Sequence, residues 1–241
     1  MSRSVRVVVP GLRAGECSLD ETASRHLVRV HRLKSGEHFV GVDPEAGLQA
    51  DGTVLSAHVR SARVRFEAAR PQLTPRLPPV SLLQALGKGD KGDQVVRAAT
   101  ALGATRVVFL ISERSVPKPA DGERAPRWIA IAKDAARQCH RPDIPDIGGP
   151  VPLADALDAS TKGCRVLLDP GAEVSLLSAL AHGAATQGVT VLIGPEGGLS
   201  EAEVQSAIAS GFLPVRLGPF VLRTELAASV ALGAILAFVE K

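Results

Sequence analysis

VLIGPEGGLSEAEV (residues 191–204) and LGPFVLRTELAASVA (residues 217–231) are the two stretches that decide the fold. In each, an apolar run typical of a buried strand ends at a turn that contains glycine, and a helical pattern begins after the turn. Glycine lets backbone N–H groups come close to a small ligand. In open α/β sheets the ligand binds beyond the carboxyl ends of the strands. Two such turns so near in sequence predict that one ligand contacts both.

The alternation of strand and helix patterns extends back to Val80. The strand patterns are apolar along their whole length, which is typical of a parallel sheet covered by helices on both faces. We therefore predict an α/β fold with a parallel sheet. Its elements before the first quoted turn are VSLLQAL (80–86), DQVVRAATALGA (93–104), RVVFLI (106–111), RWIAIAKDAARQ (127–138), CRVLLD (164–169) and EVSLLSALAHGAA (173–185).

The N-terminal third has a different pattern. Apolar runs at residues 4–9 and 37–42 predict strands, and VRSARVRF (59–66) predicts a strand with a core face and a basic face. Four prolines between residues 71 and 79 indicate a linker. We predict a small, mostly β domain over residues 1–74 and an α/β domain over residues 75–241.

One helix is predicted inside this β domain. Ser18 and Glu21 have the spacing of a capping box, which would open a helix that runs to about Leu33. Residues 1–79 contain 12 Lys and Arg against 8 Asp and Glu, so the chain's positive charge is concentrated in this part. Arginines at three- and four-residue spacing on the helix would share one face. A polyanionic partner and an ordinary solvated surface both fit this charge.

The composition excludes several classes of protein. No apolar run is long enough to span a bilayer, and the first residues lack the features of an export signal. The three cysteines are scattered and form no zinc-type spacing with histidine. We expect a reduced, cytoplasmic protein with no metal and no membrane partner.

The first glycine turn, Gly194 to Gly198, matches neither the dinucleotide nor the nucleoside triphosphate fingerprint. Glu196 inside the turn would repel a pyrophosphate. The turn therefore suits a ligand that is neutral or cationic at the point of contact, and the sulfonium cofactor S-adenosylmethionine is one such ligand. A tight strand-to-helix turn with no ligand is the alternative.

The second turn places Arg223 and Glu225 at the start of a helix. A cation is mildly disfavoured there by the helix dipole, whereas a carboxylate is favoured. An arginine in this unfavourable position is a candidate for ligand or substrate binding. The alternative is a surface arginine paired with Glu225.

Together, LIGPEGGLSEAEV and LGPFVLRTELAA closely resemble the 16S rRNA uridine-N3 methyltransferases of the SPOUT superfamily. Further similarity occurs in ASRHLVRVHRLKSGE (23–37), LLQALGKGDKGDQVVRAATALGATRVVFLISERSV (82–116) and IAIAKDAARQCHRPDIPDI (129–147). The resemblance implies a PUA-like β-barrel that binds RNA, followed by an α/β domain tied in a trefoil knot. It also implies a homodimer that methylates uridine N3 of 16S rRNA, within the 30S subunit, with S-adenosylmethionine as methyl donor.

The resemblance also implies roles for individual residues. Arg223 and Glu225 are the expected catalytic residues, with Glu225 as general base or its orienter and Arg223 holding the uracil oxygens. The expected cofactor-binding residues are Leu168, Ile193, Gly194, Pro195, Glu196, Gly198, Leu217, Gly218, Leu222 and Thr224. The expected RNA-binding residues are Arg25, Arg29, Arg32, Lys34, Lys88 and Lys91.

Three departures from the family pattern leave other functions open. Phe220 stands where the family has arginine, Arg137 stands where it has glutamate, and residues 97–103 differ from the usual motif. One alternative is the same fold and cofactor acting on another rRNA or tRNA site. A second is a non-catalytic RNA-binding or assembly factor.

The last helix pattern, residues 222–240, is apolar almost all round and rich in small residues. A helix with so little polar surface is buried on more than one side. We expect it to pack across the dimer interface, so that Ala231→Arg would disrupt the dimer. The alternative is burial inside one subunit.

Overall fold

The computed structural model describes residues 5–44, 46–71, 77–87, 89–115, 124–139, 141, 143–158 and 163–240. It divides into two compact units. The first is Met1–Pro75 with Ala136–Asp143, and the second is Arg76–Ala135 with Ile144–Lys241. Each unit has its own sheet and its own apolar core.

The sheet of the first unit is mostly antiparallel. Its strands are β1 (Arg6–Val8), β2 (Gly15–Ser18), β3 (His38–Asp43), β4 (Leu48–Ser56), β5 (Arg63–Phe66) and β6 (Arg70–Pro71). The order is β1-β3-β4-β5-β2, with β6 paired to β4, and only β1 and β3 run parallel. The predicted alternation of β5 is confirmed, because Val64 and Phe66 are buried whereas Arg63 and Arg65 are exposed.

The helix of the first unit differs from the prediction. Helix α1 (Glu21–Arg25) begins after Asp20, whose carboxylate accepts a hydrogen bond from the Ala23 amide at 2.7 Å. Ser18 is not the N-cap, because it is the last residue of β2 and pairs with Arg63. The helix continues as a π-helical turn, His26–Val30, and ends there.

Arg32 lies beyond this helix, with a left-handed φ of 57°. A backbone in that region cannot continue a right-handed helix. The expectation that Arg25, Arg29 and Arg32 share one helical face is therefore wrong for Arg32. The wider turn of the π-helix also changes the spacing on which the expectation rested.

The second unit confirms the predicted parallel sheet. Its strands are β7 (Val80–Ala85), β8 (Arg106–Ile111), β9 (Asp146–Pro152), β10 (Cys164–Leu168), β11 (Val189–Ile193) and β12 (Leu213–Val215). The order is β12-β10-β11-β7-β8-β9, and every pair is parallel. Every residue of β7 and β11 is buried, as expected for central strands that are apolar throughout.

Helices cover both faces of this sheet. They are α2 (Lys91–Ala101), α3 (Arg124–Cys139), α4 (Leu153–Asp158), α5 (Leu176–His182), α6 (Glu201–Ala209) and α7 (Thr224–Val239). One core cluster unites strand residues with α2, α5 and α7, and the other unites them with α4 and α6. Strand β9 and helix α4 were not predicted. The glycines and prolines of β9 are typical of loops, and β9 pairs with only one neighbour, β8.

Helix α7 packs its small residues inside its own unit. Ala228, Ala231 and Leu232 are almost fully buried in the core with α2 and α5. Ala231 is therefore not an interface residue, and the expectation that Ala231→Arg would act on a dimer is wrong. The small side chains serve close packing within one chain. Leu226 and Val230, on another face, are 48% and 40% exposed.

In the part of the chain that the structure describes, no helix combines the length and apolar character needed to cross a membrane. Among the same residues, no group of three or more His, Cys, Asp or Glu side chains is placed to hold a metal ion. The three cysteines are free thiols, and burial raises the pKa of the Cys164 thiol.

Candidate functional site

A cavity of about 680 Å³ lies in the second unit, at the carboxyl edge of β12, β10 and β11. Leu168, Ile193 and Val215, the last residues of these three neighbouring strands, all line it. Its volume lies within the range of roughly 300–1,000 Å³ that is usual for small-molecule sites. The cavity thus lies where an open parallel sheet places its ligand.

The first wall of the cavity is the turn after β11. A Cβ on Gly194 would lie 3.1 Å from Leu199 Cγ and 3.2 Å from Leu199 N, so this position has no room for a side chain. Helix α6 begins directly after the turn with a capping box. Ser200 N donates to Glu203 Oε2 at 2.8 Å, and Glu203 N donates to Ser200 Oγ at 3.4 Å.

The loop after β8 holds this turn from outside, a feature that the sequence did not predict. Arg114 Nη1 donates to the carbonyl of Gly197 at 3.0 Å and approaches that of Leu199 at 3.4 Å. The Glu113 amide donates to Glu203 Oε1 at 2.8 Å. The capping glutamate of α6 therefore accepts from two loops at once, which fixes the turn relative to β8.

The second wall is the turn before α7. Arg223 is the N-cap residue of α7, has an extended backbone and lines the cavity. Among the described residues its guanidinium makes no hydrogen bond or ion pair, so the alternative of a pair with Glu225 does not hold. Phe220 and Val221 also line the cavity, although they are 80% and 78% exposed.

Lys91, the first residue of α2, joins the two walls. Its Nζ lies 2.6 Å from Glu196 Oε1 and 3.4 Å from Glu225 Oε2. Glu196 belongs to the first turn and Glu225 to the first turn of α7. One ammonium thus contacts a carboxylate from each of the two walls.

The pKa values of this group follow from its contacts. Burial raises the pKa of Glu225, but a backbone hydrogen bond, the Lys91 ammonium and the Thr224 hydroxyl outweigh it, so the pKa lies below its ordinary value. The hydrogen bond to Glu196, with the charges of Glu196 and Glu225, raises the pKa of Lys91. Both side chains are therefore charged at neutral pH.

The structure brings the expected cofactor residues together. All ten line this single cavity: Leu168, Ile193, Gly194, Pro195, Glu196, Gly198, Leu217, Gly218, Leu222 and Thr224. Arg223 lines it as well, and Glu225 lies behind it, next to Lys91. The sequence did not predict the contributions of Phe220 and Val221 from the same turn.

The expected RNA-binding residues are divided between the two units. Arg25, Arg29, Arg32 and Lys34 belong to the first unit, and all four are exposed. Arg25 donates to Glu21 at 2.7 Å, so part of its charge is compensated. Lys91 belongs to the second unit, where it contacts Glu196 of the cavity wall. Lys88 lies outside the described residues.

The basic face of β5 is also partly compensated. Glu16 Oε1 lies 2.5 Å from Arg65 and Glu16 Oε2 lies 3.1 Å from Arg63. Hydrogen bonding to Arg65, and its charge, lower the pKa of this carboxyl despite some desolvation. The basic face of β5 thus carries less uncompensated positive charge than its two arginines alone would give.

The cavity lies at the carboxyl ends of adjacent parallel strands and is lined by two glycine turns and by Arg223, which has no ion pair among the described residues. These features define an α/β domain with a small-molecule binding site. Residues 75–236 match the model of the RNA methyltransferase domain. The chain belongs to this RNA methyltransferase family.

Two curated relatives are similar in sequence to this chain over most of their length. The ribosomal RNA small subunit methyltransferase E of Synechocystis is 32% identical over 223 residues, which is 91% of this chain and 72% of the relative. The Mycobacterium bovis protein of the same name is 33% identical and covers 87% and 82%.

Two solved structures show a similar fold. A ribosomal RNA small subunit methyltransferase E from Neisseria gonorrhoeae, bound to S-adenosylmethionine, is 26% identical, covers 98% of each chain and superposes with a TM-score of 0.72. A Legionella pneumophila protein, solved with the bound cofactor SAM, is 28% identical with the same coverage and a TM-score of 0.76. The predicted family and the α/β fold are thereby confirmed.

Proposed function

We propose that this protein transfers a methyl group from S-adenosylmethionine to N3 of a uridine in 16S rRNA. The observation that carries the proposal is the cavity itself: all ten expected cofactor residues line it, in a fold shared with relatives that bind S-adenosylmethionine. The names of the curated relatives support the small-subunit rRNA as substrate.

The cavity fits the cofactor chemically. Backbone N–H and C=O groups at Gly194 and Gly218 would hold the adenosine, with Leu168, Ile193 and Leu217 supplying apolar contacts. Glu196 in the first turn suits a ligand that is neutral or cationic at that point, whereas its carboxylate would repel a pyrophosphate. When bound, S-adenosylmethionine supplies an electrophilic methyl group activated by its sulfonium.

Arg223 and Glu225 are the residues expected to act on the uridine. Uridine N3 carries a proton at neutral pH and must lose it before or during attack, so negative charge develops on the uracil oxygens. Arg223 lines the cavity and makes no ion pair with any described residue, and we expect it to stabilise that charge. Glu225 has a lowered pKa, which makes it a weak proton acceptor at neutral pH. Of its two expected roles, orienting a neighbouring group therefore fits better than acting as general base.

Isothermal titration calorimetry with the purified protein tests the first step. We expect one S-adenosylmethionine to bind per chain, and the variant Arg223→Ala to keep this affinity while its methyl transfer to 30S subunits falls. The absence of measurable binding to the wild-type protein would overturn the proposal.

A second candidate keeps the fold and cofactor but changes the RNA target. It is favoured by Phe220, which replaces the arginine of the family pattern and is 80% exposed at the mouth of the cavity. Mass mapping of rRNA and tRNA from a strain that lacks this protein separates the two targets. If N3-methyluridine persists in the 16S rRNA of that strain, the second candidate replaces the first. The unpaired Arg223 argues against a non-catalytic assembly factor, which has no need of it.

We infer that the protein acts as a homodimer. The exposed stripe of α7 contains Leu226, Val230 and Ala237 at helical spacing, and it begins beside the exposed Phe220 and Val221. A second copy would cover this apolar stripe and close the cavity at Phe220 and Val221. Sedimentation at micromolar concentration should show a dimer, and a monomer would contradict this inference.

The first unit, we propose, supplies RNA affinity as a PUA-like domain, with a boundary near residue 74. Arg29 and Lys34 support this, because both are exposed. RNA affinity should fall with salt at a log–log slope of roughly −0.7 to −0.9 per phosphate contacted. The trefoil knot and the cytoplasmic location stay predictions.

A further inference from the structure

Lys91 lies at the meeting point of three elements, although sequence analysis placed it among RNA contacts. Its ammonium reaches Glu196 at 2.6 Å and Glu225 at 3.4 Å. The side chain of Lys91 is 25% exposed, and that of Glu225 is 15% exposed. A lysine that serves mainly as a phosphate contact would point its ammonium into solvent, and this one is held by two carboxylates.

Gly87 lies directly against this lysine and leaves room for its side chain. A Cβ on Gly87 would lie 3.0 Å from Lys91 Cδ, 3.2 Å from Lys91 Cβ and 3.4 Å from Glu196 Oε1. A side chain at this position would have to displace the lysine stem by a few tenths of an ångström. Lys91 also stands in the first turn of α2, where the helix dipole disfavours a cation. The two carboxylates offset that cost.

The two carboxylates belong to opposite walls of the cavity. Glu196 is part of the turn after β11, and Glu225 follows Arg223 and Thr224, which line the second wall. Both carboxylates contact the same ammonium, at 2.6 Å and 3.4 Å, so the two walls are joined through it. The ammonium therefore fixes the distance between the walls.

We propose that Lys91 is a positioning residue that ties the cofactor turn to the start of α7 by binding Glu196 and Glu225 together. This inference rests on the proposed function, because the two walls carry the cofactor site and Arg223. Lys91 itself touches neither substrate nor cofactor in this account. Its role is to hold Arg223 in register with the turn that binds the cofactor.

Four variants separate this role from a phosphate contact. Lys91→Met removes the charge and keeps the length of the stem, and Lys91→Arg keeps a cation able to contact both carboxylates. Gly87→Ala keeps the charge but crowds the Lys91–Glu196 contact by a few tenths of an ångström. Lys133→Met, at an exposed lysine of α3 in the same unit, is the matched control.

In Lys91→Met we expect the single-turnover rate at saturating S-adenosylmethionine and the affinity for S-adenosylmethionine each to fall by roughly tenfold, the size of one lost charge-assisted hydrogen bond. Lys91→Arg should recover the rate to within about threefold of wild type. Gly87→Ala should change both quantities in the same direction as Lys91→Met. Lys133→Met should match wild type.

Two outcomes would overturn the proposal. One is wild-type rate and affinity in a folded Lys91→Met protein. The other is a loss of RNA affinity alone, with a salt dependence weakened by about one phosphate, which would make Lys91 a phosphate contact.

A measurement on the protein without cofactor or RNA tests the Lys91–Glu225 contact independently of the proposed function. Among the described residues, the charged group in contact with Glu225 is Lys91 from α2, which also contacts Glu196 from the turn after β11. Carbon-13 NMR titration of the unliganded protein should show a higher pKa for the Glu225 carboxyl in Lys91→Met than in wild type. An unchanged pKa would refute the contact itself, whereas wild-type protein that binds no S-adenosylmethionine would refute only the proposed function.

Discussion

Gly194→Ala is the substitution whose effect on the site the structure defines best. The added methyl would meet Leu199 Cγ at 3.1 Å and Leu199 N at 3.2 Å. The leucine side chain can move by a few tenths of an ångström, but the amide belongs to the turn and moves only with it. Overpacking of this kind costs about 1–3 kcal/mol. Part of that cost destabilises the fold, and the rest displaces the turn that lines the cavity.

We expect the melting temperature of Gly194→Ala to fall by about 2–4 °C for each kcal/mol borne by the fold. Calorimetric affinity for S-adenosylmethionine should fall by roughly 5- to 100-fold if the turn bears the larger share. Gly148→Ala, where the added methyl meets nothing within 4 Å, is the control and should change neither quantity. Unaltered affinity and melting temperature in Gly194→Ala would refute the packing argument for this turn.

Four further predictions concern other parts of the molecule. Leu226→Arg, on the exposed face of α7, should convert the proposed dimer to a folded monomer in sedimentation, whereas Ala231→Arg should prevent folding because that site is fully buried; the same result for both would contradict the assigned faces. Arg114→Ala should loosen the turn after β11 and weaken S-adenosylmethionine binding by roughly 3- to 10-fold, with little change in RNA affinity. Arg29→Ala should weaken RNA binding and lower its salt dependence by about one phosphate, while cofactor affinity stays at the wild-type value. The pKa of Glu225 is lowered in the folded state, so the charged carboxylate stabilises the fold above the ordinary value of 4.5, and this stabilisation is lost as the pH falls through the folded-state pKa. The free energy of unfolding of Glu225→Gln, measured by chemical denaturation, should therefore differ from that of wild type at pH 7 and converge with it in acid.

The parallel sheet and the cofactor cavity were predictable because their signals are local. Apolar strands such as β11 must be buried on both faces, and a glycine turn after such a strand falls at its carboxyl end. The capping box at Ser200 and Glu203 is a contact between residues three apart, so the sequence shows it directly.

What the sequence could not predict depends on distant contacts or on competition between neighbouring caps. Lys91 and Glu225 are far apart in the chain, and nothing local signals that they share an ammonium–carboxylate contact. Arg114 contacts the turn at Gly197 across 83 residues of sequence. At α1, Ser18 and Asp20 both fit a cap, and the pairing of Ser18 in β2 decides in favour of Asp20.

The sequence also did not predict that Ala231 is buried within its own chain. The pattern of α7 shows that the helix is covered on several sides, but it does not show whether the covering residues belong to the same chain. Packing against α2 and α5 supplies that cover at Ala231, and only the stripe with Leu226 and Val230 is left for a partner.

The most direct test of the central claim is methyl transfer by the purified protein to 30S subunits or 16S rRNA taken from a strain that lacks it, followed by nuclease digestion and mass spectrometry of the fragments. We expect one added methyl group per 16S rRNA, located on N3 of a single uridine, and we expect Arg223→Ala not to add it. Transfer to a different base, or no transfer by a protein that binds S-adenosylmethionine, would contradict it.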